Sequence, residues 1–167
     1  MLDTLICNAN VIDGTGRAAF RADVGIRDGV IEAVGALSGA QAAETIDAAG
    51  RCLTPGFIDI HRHADAALFR PGFGEAELCQ GLTTLVNGNC GMSLAPLFGA
   101  RADACAAYLA PITGDIPPEL RFASLGDYFK KAQERGMPLS CAELIGMGTL
   151  RTLAAGFTTG DLSPLEL

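Results

Sequence analysis

Residues 55–63 read Pro55-Gly56-Phe57-Ile58-Asp59-Ile60-His61-Arg62-His63. A compact apolar strand at 57–60 follows a Pro-Gly turn, and both histidines of the chain come directly after it. Side chains at i and i+2 of a strand point to one face, so we expect the imidazoles of His61 and His63 to converge while Arg62 points away. Neutral imidazole is a common ligand of zinc. Two polar residues at a strand end also make ordinary hydrogen bonds, and both interpretations stay open on this spacing alone.

A second candidate ligand follows the next predicted strand, at 82–86. Cys90 lies in the segment Asn-Gly-Asn-Cys-Gly at 87–91, where glycines on both sides allow a close approach of a ligand. A thiolate here could join a metal, and a buried structural cysteine is the alternative. The other cysteines lie in apolar segments without CxxC pairs, and we interpret them as small hydrophobic residues: Cys7, Cys52, Cys79, Cys105 and Cys141.

Two charged residues near the predicted strand ends are further candidates. Asp65 could orient a ligand histidine by accepting a hydrogen bond, or it could cap the next segment. Arg151 follows a third predicted strand and could hold a substrate carboxylate with two hydrogen bonds, or it could form a salt bridge. Ser93 lacks the G-x-S-x-G frame and a spare histidine, which excludes a serine triad.

Residues 1–54 predict a small β unit of short strands and tight turns. We expect short strands on either side of 8–10, a turn at 13–16, a hairpin at Asp28-Gly29 and an edge strand at 45–48.

Residues 55–167 predict an α/β unit with parallel strands, because strands alternate with helices. The predicted strands cover 57–60, 82–86 and 140–145, and the predicted helices cover 74–80, 101–109 and 124–135, the last with Ser124 as N-cap and Gly136 at its end.

The chain has 167 residues, whereas a closed (β/α)8 barrel takes roughly 250. Ser163 and Glu166 have capping-box spacing. We therefore expect a helix to begin at the end of the printed sequence, and the chain to be the N-terminal portion of a longer unit.

Composition excludes several classes of function. The net charge is −7 and no basic run occurs, so we expect no nucleic-acid partner and no attraction to an anionic membrane. Neither a secretory signal nor a stretch of about 20 apolar residues is present. Free thiols and the lack of an export signal predict a cytoplasmic location.

Residues 55–65 and 80–91 together resemble the amidohydrolase superfamily and are most similar to the N-acyl-D-amino-acid deacylases, also called D-aminoacylases. Further similar segments lie at 11–16, 22–26 and 145–151, so the resemblance covers essentially the whole chain. It implies an α/β fold with a (β/α)8 barrel, incomplete in this chain, preceded by a small β-sandwich segment. It also implies zinc as the cofactor.

The family resemblance assigns His61, His63 and Cys90 as metal ligands. It implies hydrolysis of an N-acyl-D-amino acid to a D-amino acid and a carboxylate, with water activated by the metal. Cyclic amides, the substrates of dihydroorotase-like enzymes, are the alternative substrate class. A C-terminal polypeptide that completes the barrel is the expected macromolecular partner.

Two departures from the family pattern favour a different hypothesis. Met147 stands where the family motif GHGTLR has its histidine, and a thioether cannot carry a proton. The family's further histidine ligands and catalytic aspartate come from later strands, and this chain has no third histidine. The general base is thus expected outside this chain, which alone would be poorly active or inactive. A non-catalytic remnant or assembly partner of an amidohydrolase is the competing interpretation.

Overall fold

The computed structural model describes residues 1–164, which fall into two compact units. The first ends at Pro55 and the second begins at Gly56, one residue from the predicted division at 54/55. None of the helices described in residues 1–164 has the length and apolarity needed to cross a bilayer.

The first unit is built on one five-stranded mixed sheet. Strands β1, β2 and β3 form an antiparallel meander, and β4 and β5 both pair with β1 in parallel. Within residues 1–55 the strands form this single sheet, so the second layer of a sandwich stays a prediction. The strands are β1 (Leu2–Val11), β2 (Phe20–Arg27), β3 (Val30–Gly35), β4 (Ala42–Asp47) and β5 (Cys52–Leu53).

The expected separation into two short strands at 8–10 is wrong, because β1 runs through these residues as one strand with a bulge. Asn8 has a φ of 57°, and the pairing register with β2 shifts between Ile6 and Ala9. The backbone N–H of Asn8 donates to Asp23 Oδ1 (2.9 Å), and its side-chain amide donates to Asp47 Oδ1 (2.9 Å). These side-chain acceptors replace ladder partners at the bulge, so the strand continues. The predicted hairpin at 28–29 and the edge strand over 45–48 are confirmed, the latter within β4.

The second unit contains a three-stranded parallel sheet in the order β6-β7-β8 and four α-helices. The predicted strands and the first three predicted helices are confirmed, with shifted ends. The elements are β6 (Phe57–Asp59), α1 (Glu75–Cys79), β7 (Leu82–Asn87), α2 (Ala102–Thr113), α3 (Leu125–Arg135), β8 (Ser140–Glu143) and α4 (Met147–Ala155).

Local capping signals mark both ends of α3. Ser124 Oγ accepts from the N–H of Asp127 (3.1 Å) at the start of α3, and Gly136 ends that helix. By contrast, α4 was not predicted, because it begins at Gly146 without a side-chain cap and has a second glycine in its first turn. The predicted helix beginning near Ser163 extends into 165–167, outside the described residues.

The core of the second unit packs helices α2 and α3 against the segments that follow β6 and β7. Tyr128 of α3 and Cys105 and Leu109 of α2 are fully buried there, together with Leu68 and Leu94 from the connecting segments. The loops at the carboxyl ends of the three strands therefore rest on a packed layer.

Candidate metal centre

The two histidines lie in the bend that follows β6. The strand ends at Asp59, one residue before the predicted end, so the strand alternation used to predict the orientation of His61 and His63 does not extend to them. The N–H of His61 donates to Asp59 Oδ1 (3.1 Å), which turns the chain away from the sheet. The imidazoles converge nevertheless, with the ring centroids of His61 and His63 5.6 Å apart.

Arg62 holds this bend against the neighbouring strand. Its backbone N–H donates to Val86 O (3.0 Å), so the peptide between His61 and Arg62 is fixed to β7. Its guanidinium forms a 2.7 Å ion pair with the largely buried carboxylate of Glu77 and lies 3.6 Å from Asp59. The side chain between the two histidines therefore points away from them, as the spacing predicted.

Cys90 is placed by a tight turn at the end of β7. The turn spans Asn89–Gly91, and Cys90 itself has a φ of 57°. The Asn89 amide donates to Val86 O (2.8 Å) and Arg62 O (3.4 Å), which ties the turn to the histidine bend. Cys90 Sγ lies 3.1 Å from His61 Nε2.

These three side chains are close enough together to hold one metal ion, and they are called the ligand set below. One ligand atom each from His61, His63 and Cys90 lies within 4.8 Å of the others, and no second such group of three occurs in residues 1–164. Small side-chain rotations would bring all three ligand atoms to about 2.0–2.3 Å from one zinc ion, the usual length of zinc–ligand bonds. His63 Nδ1 is buried without a hydrogen-bond partner in the structure. A nitrogen, nitrogen and sulfur donor set with an unpaired buried nitrogen fits zinc well.

Asp65 is fully buried beneath the histidine bend. Its Oδ1 accepts from the N–H of Leu94 (3.2 Å), and its backbone carbonyl accepts from Tyr128 Oη (3.3 Å). No hydrogen bond in the described part of the chain joins its carboxylate to either histidine, so its role in orienting a ligand stays a prediction.

A buried acidic group that the sequence reasoning missed lies next to Asp65. Glu143, at the end of β8, has both carboxyl oxygens buried without a hydrogen-bond donor in the structure. Burial, followed by the proximity of the Asp65 carboxyl group, raises the pKa of Glu143 to about 10. Burial also raises the pKa of the neighbouring Cys141 to about 11. The sequence contains one signal for this group, because Glu143 is an acidic residue inside an otherwise largely apolar predicted strand.

Arg151 and Met147 lie on α4. The guanidinium of Arg151 donates to the carbonyl oxygens of Thr158 (3.1 Å) and Gly160. Within residues 1–164 it has no acidic partner in a salt bridge, and its role in binding a substrate carboxylate stays a prediction. Met147 is 71% exposed at the first position of the helix.

The chain is similar in sequence to proteins of known families. The family model described as "Amidohydrolase family" matches residues 44–125. D-aminoacylase of Alcaligenes xylosoxydans is 38% identical over 149 residues, which is 89% of this chain and 30% of that protein. N-acyl-D-glutamate deacylase of the same organism is 42% identical over 156 residues, or 92% of this chain and 30% of that protein. The chain belongs to the amidohydrolase family. It spans about 30% of the length of these curated relatives.

A solved structure resembles this amidohydrolase chain along nearly its whole length. N-acyl-D-glutamate deacylase from Bordetella bronchiseptica, complexed with zinc and a phosphonate mimic of the tetrahedral intermediate, superposes with a TM-score of 0.87 at 36% identity. The match covers 99% of this chain and 34% of that one. The mixed α/β fold is therefore that of the D-aminoacylase structures.

Proposed function

We propose that this chain contributes three ligands to a zinc-dependent hydrolase that cleaves the amide bond of N-acyl-D-amino acids. The observation that carries the proposal is the convergence of His61, His63 and Cys90 from two adjacent strand ends. The deacylase names of the relatives support the substrate class.

The residues present support ligand binding and orientation rather than proton transfer. His61, His63 and Cys90 would hold the ion, and bound zinc polarises a carbonyl and activates water. The chain has two histidines, and both belong to this set. The group that carries the proton to the leaving nitrogen is therefore proposed to come from another polypeptide segment.

The parallel sheet favours completion by further strands. Both β6 and β8 are edge strands of the sheet in the second unit. Phe57, Ile58 and Ile145, in or just beyond these edges, are each more than half exposed. Exposed edges with large apolar side chains favour pairing with additional strands. We propose that a C-terminal polypeptide completes the barrel in this way and that the ligand set acts within it.

A non-catalytic role is the second candidate, and Met147 is the observation that favours it. Its thioether is exposed beside the loops where the family motif has an imidazole, and it cannot replace that group in proton transfer. The remnant hypothesis predicts no hydrolysis even from a completed barrel.

Zinc retention tests the ligand set. We expect the purified chain to retain zinc and Cys90→Ala to retain much less, because the variant loses the thiolate ligand. The matched control is Cys79→Ala, since Cys79 is also an exposed cysteine but lies in α1 outside the set. Metal content per chain is measured after dialysis. Equal zinc in Cys90→Ala and the unmodified chain would remove Cys90 from the ligand set.

Hydrolysis is tested with N-acetyl-D-amino acids, using this chain alone and together with a polypeptide that supplies the remaining strands. We expect the zinc-loaded pair, and not the chain alone, to release D-amino acids from these substrates. We expect no release of L-amino acids from the corresponding N-acetyl-L-amino acids. A pair that assembles and binds zinc without releasing any D-amino acid would establish the remnant hypothesis instead.

A further inference from the structure

Asn87 is the last residue of β7, and its side chain is fully buried. Burying an amide is costly unless its polar atoms are hydrogen-bonded. Its Oδ1 accepts from the backbone N–H of Ala64 (3.0 Å), and its Nδ2 donates to Cys141 Sγ (3.2 Å). The amide thus joins the end of β7 to the histidine bend on one side and to β8 on the other.

The hydrogen bond to Ala64 fixes the peptide that follows His63. The peptide between His61 and Arg62 is fixed by the hydrogen bond from the N–H of Arg62 to Val86 O. His63 therefore lies between two anchors, and both belong to the last two residues of β7. Cys90 follows three residues later on the same strand end, so one short segment sets the positions of ligands from both loops.

The side chain of Asn87 supplies the acceptor for Ala64 at a point where both backbone carbonyls at the end of β7 already have hydrogen-bond partners. The carbonyl oxygen of Asn87 accepts from the N–H of Leu144 (3.0 Å), in the connection that follows β8. The carbonyl of Val86 already accepts from Arg62 and from the Asn89 amide. The N–H of Ala64 donates to the side-chain oxygen instead.

We infer that Asn87 is a positioning residue of the metal centre, which holds His63 in its ligand orientation through the N–H of Ala64. The inference rests on the proposed function. Residues that do not bind the metal but hold its ligands in position by hydrogen bonds typically lower metal affinity by about 10–100-fold when they are replaced. Asn87 differs from the ligands themselves because it contacts no ion and acts through the adjacent backbone.

The test compares three variants of the full chain for zinc affinity, measured by competition with a chromophoric chelator well below the unfolding temperature. We expect Asn87→Leu to lose about 10–100-fold in zinc affinity, because it removes the acceptor for Ala64. Asn87→Asp keeps that acceptor and loses the donor to Cys141. We expect it to lower thermal stability while its zinc affinity stays close to that of the unmodified chain.

The matched control is Thr113→Val. Thr113 is also buried, and its hydroxyl donates to Leu109 O and Gly114 O at the end of α2, away from the ligand set. We expect this variant to lose stability without losing zinc affinity. If Thr113→Val and Asn87→Leu lowered zinc affinity equally, the effect would be general destabilisation and the inference would be overturned.

Two further readouts separate the inference from the proposed function. Hydrogen exchange at the Ala64 amide needs no metal, and we expect it to be faster in Asn87→Leu than in the unmodified chain or Thr113→Val. With Co²⁺ in place of zinc, we expect Asn87→Leu to retain the thiolate charge-transfer band from Cys90 at saturating metal. If the unmodified chain binds zinc and Asn87→Leu binds it equally well, the inference alone fails. If the unmodified chain binds no zinc, the proposed metal centre fails and the inference with it.

Discussion

The thiol of Cys90 offers a direct measure of metal binding at the scale of one residue. It is exposed, with Sγ 3.1 Å from an imidazole nitrogen of His61. We expect zinc to slow alkylation of Cys90 by iodoacetamide several-fold, because a coordinated thiolate is a poorer nucleophile than a free one. Mass spectrometry of the peptide that contains Cys90 gives the rate with and without zinc.

Cys79 is the internal control for this experiment, since it is exposed and lies outside the ligand set. Its alkylation rate should not respond to zinc. Protection of both cysteines would indicate nonspecific metal binding, and protection of neither would contradict a thiolate ligand at Cys90.

The candidate ligands were predictable at this scale because they lie in short contiguous motifs. His61 and His63 are two residues apart, and glycines flank Cys90. Glu143 and Asp65 were not predicted as neighbours. Their proximity depends on how β8 packs against the bend after β6, and no local pattern encodes that arrangement.

At the scale of elements, the loops that follow β7 and β8 come into close contact at Gly88. Gly88 has a φ of 73°, and a Cβ there would lie 2.0 Å from the carbonyl oxygen of Leu144. We expect Gly88→Ala to destabilise the chain by about 2–5 kcal/mol, from backbone strain of roughly 1–2 kcal/mol and steric overlap of roughly 1–3 kcal/mol. Chemical denaturation measures the loss, and zinc retention should fall with it because Cys90 lies two residues away.

Gly99→Ala is the matched control for backbone strain. Gly99 has a φ of 81°, and nothing lies within 4 Å of a Cβ built there. This variant should cost only the strain of roughly 1–2 kcal/mol and leave zinc retention unchanged. Equal losses in both variants would show that the close approach of the two loops contributes nothing.

The ends of α3 were predictable from local signals, whereas α4 and the bulge in β1 were not. Ser124 and Gly136 define α3 in the sequence, and the structure confirms both ends. The helix α4 has no such cap, and the bulge at Asn8 depends on acceptors contributed by Asp23 and Asp47 from other strands. The low strand propensity of the asparagines at 8 and 10 is outweighed by these long-range hydrogen bonds.

At the scale of the whole molecule, Glu143 couples stability to pH. Three ionisable groups face it: Asp65 beneath the histidine bend, Tyr128 on α3, and Cys141 on β8. Burial and the neighbouring Asp65 raise the pKa of Glu143 from 4.5 to about 10. Folding therefore takes up a proton at any pH between these values.

The sign of the effect follows from that proton uptake. Between pH 4.5 and about 10 the folded state holds one more proton at Glu143 than the unfolded state does. The free energy of unfolding then falls as pH rises, with a slope of at most about 1.4 kcal/mol per pH unit from this group. Its contribution is fully present below pH 4.5 and is lost as pH approaches 10.

Glu143→Gln isolates this contribution from the rest of the charge on the chain. Glutamine keeps the shape of the protonated side chain and does not titrate, so we expect the variant to be less sensitive to rising pH and more stable than the unmodified chain near pH 9. Urea denaturation from about pH 5 to pH 9 measures both. The net charge of −7 gives both proteins a common background slope, so the difference between the two curves is the decisive quantity. Parallel curves would mean that Glu143 is ionised in the folded chain, and a carboxylate would then have to be stabilised beside Asp65.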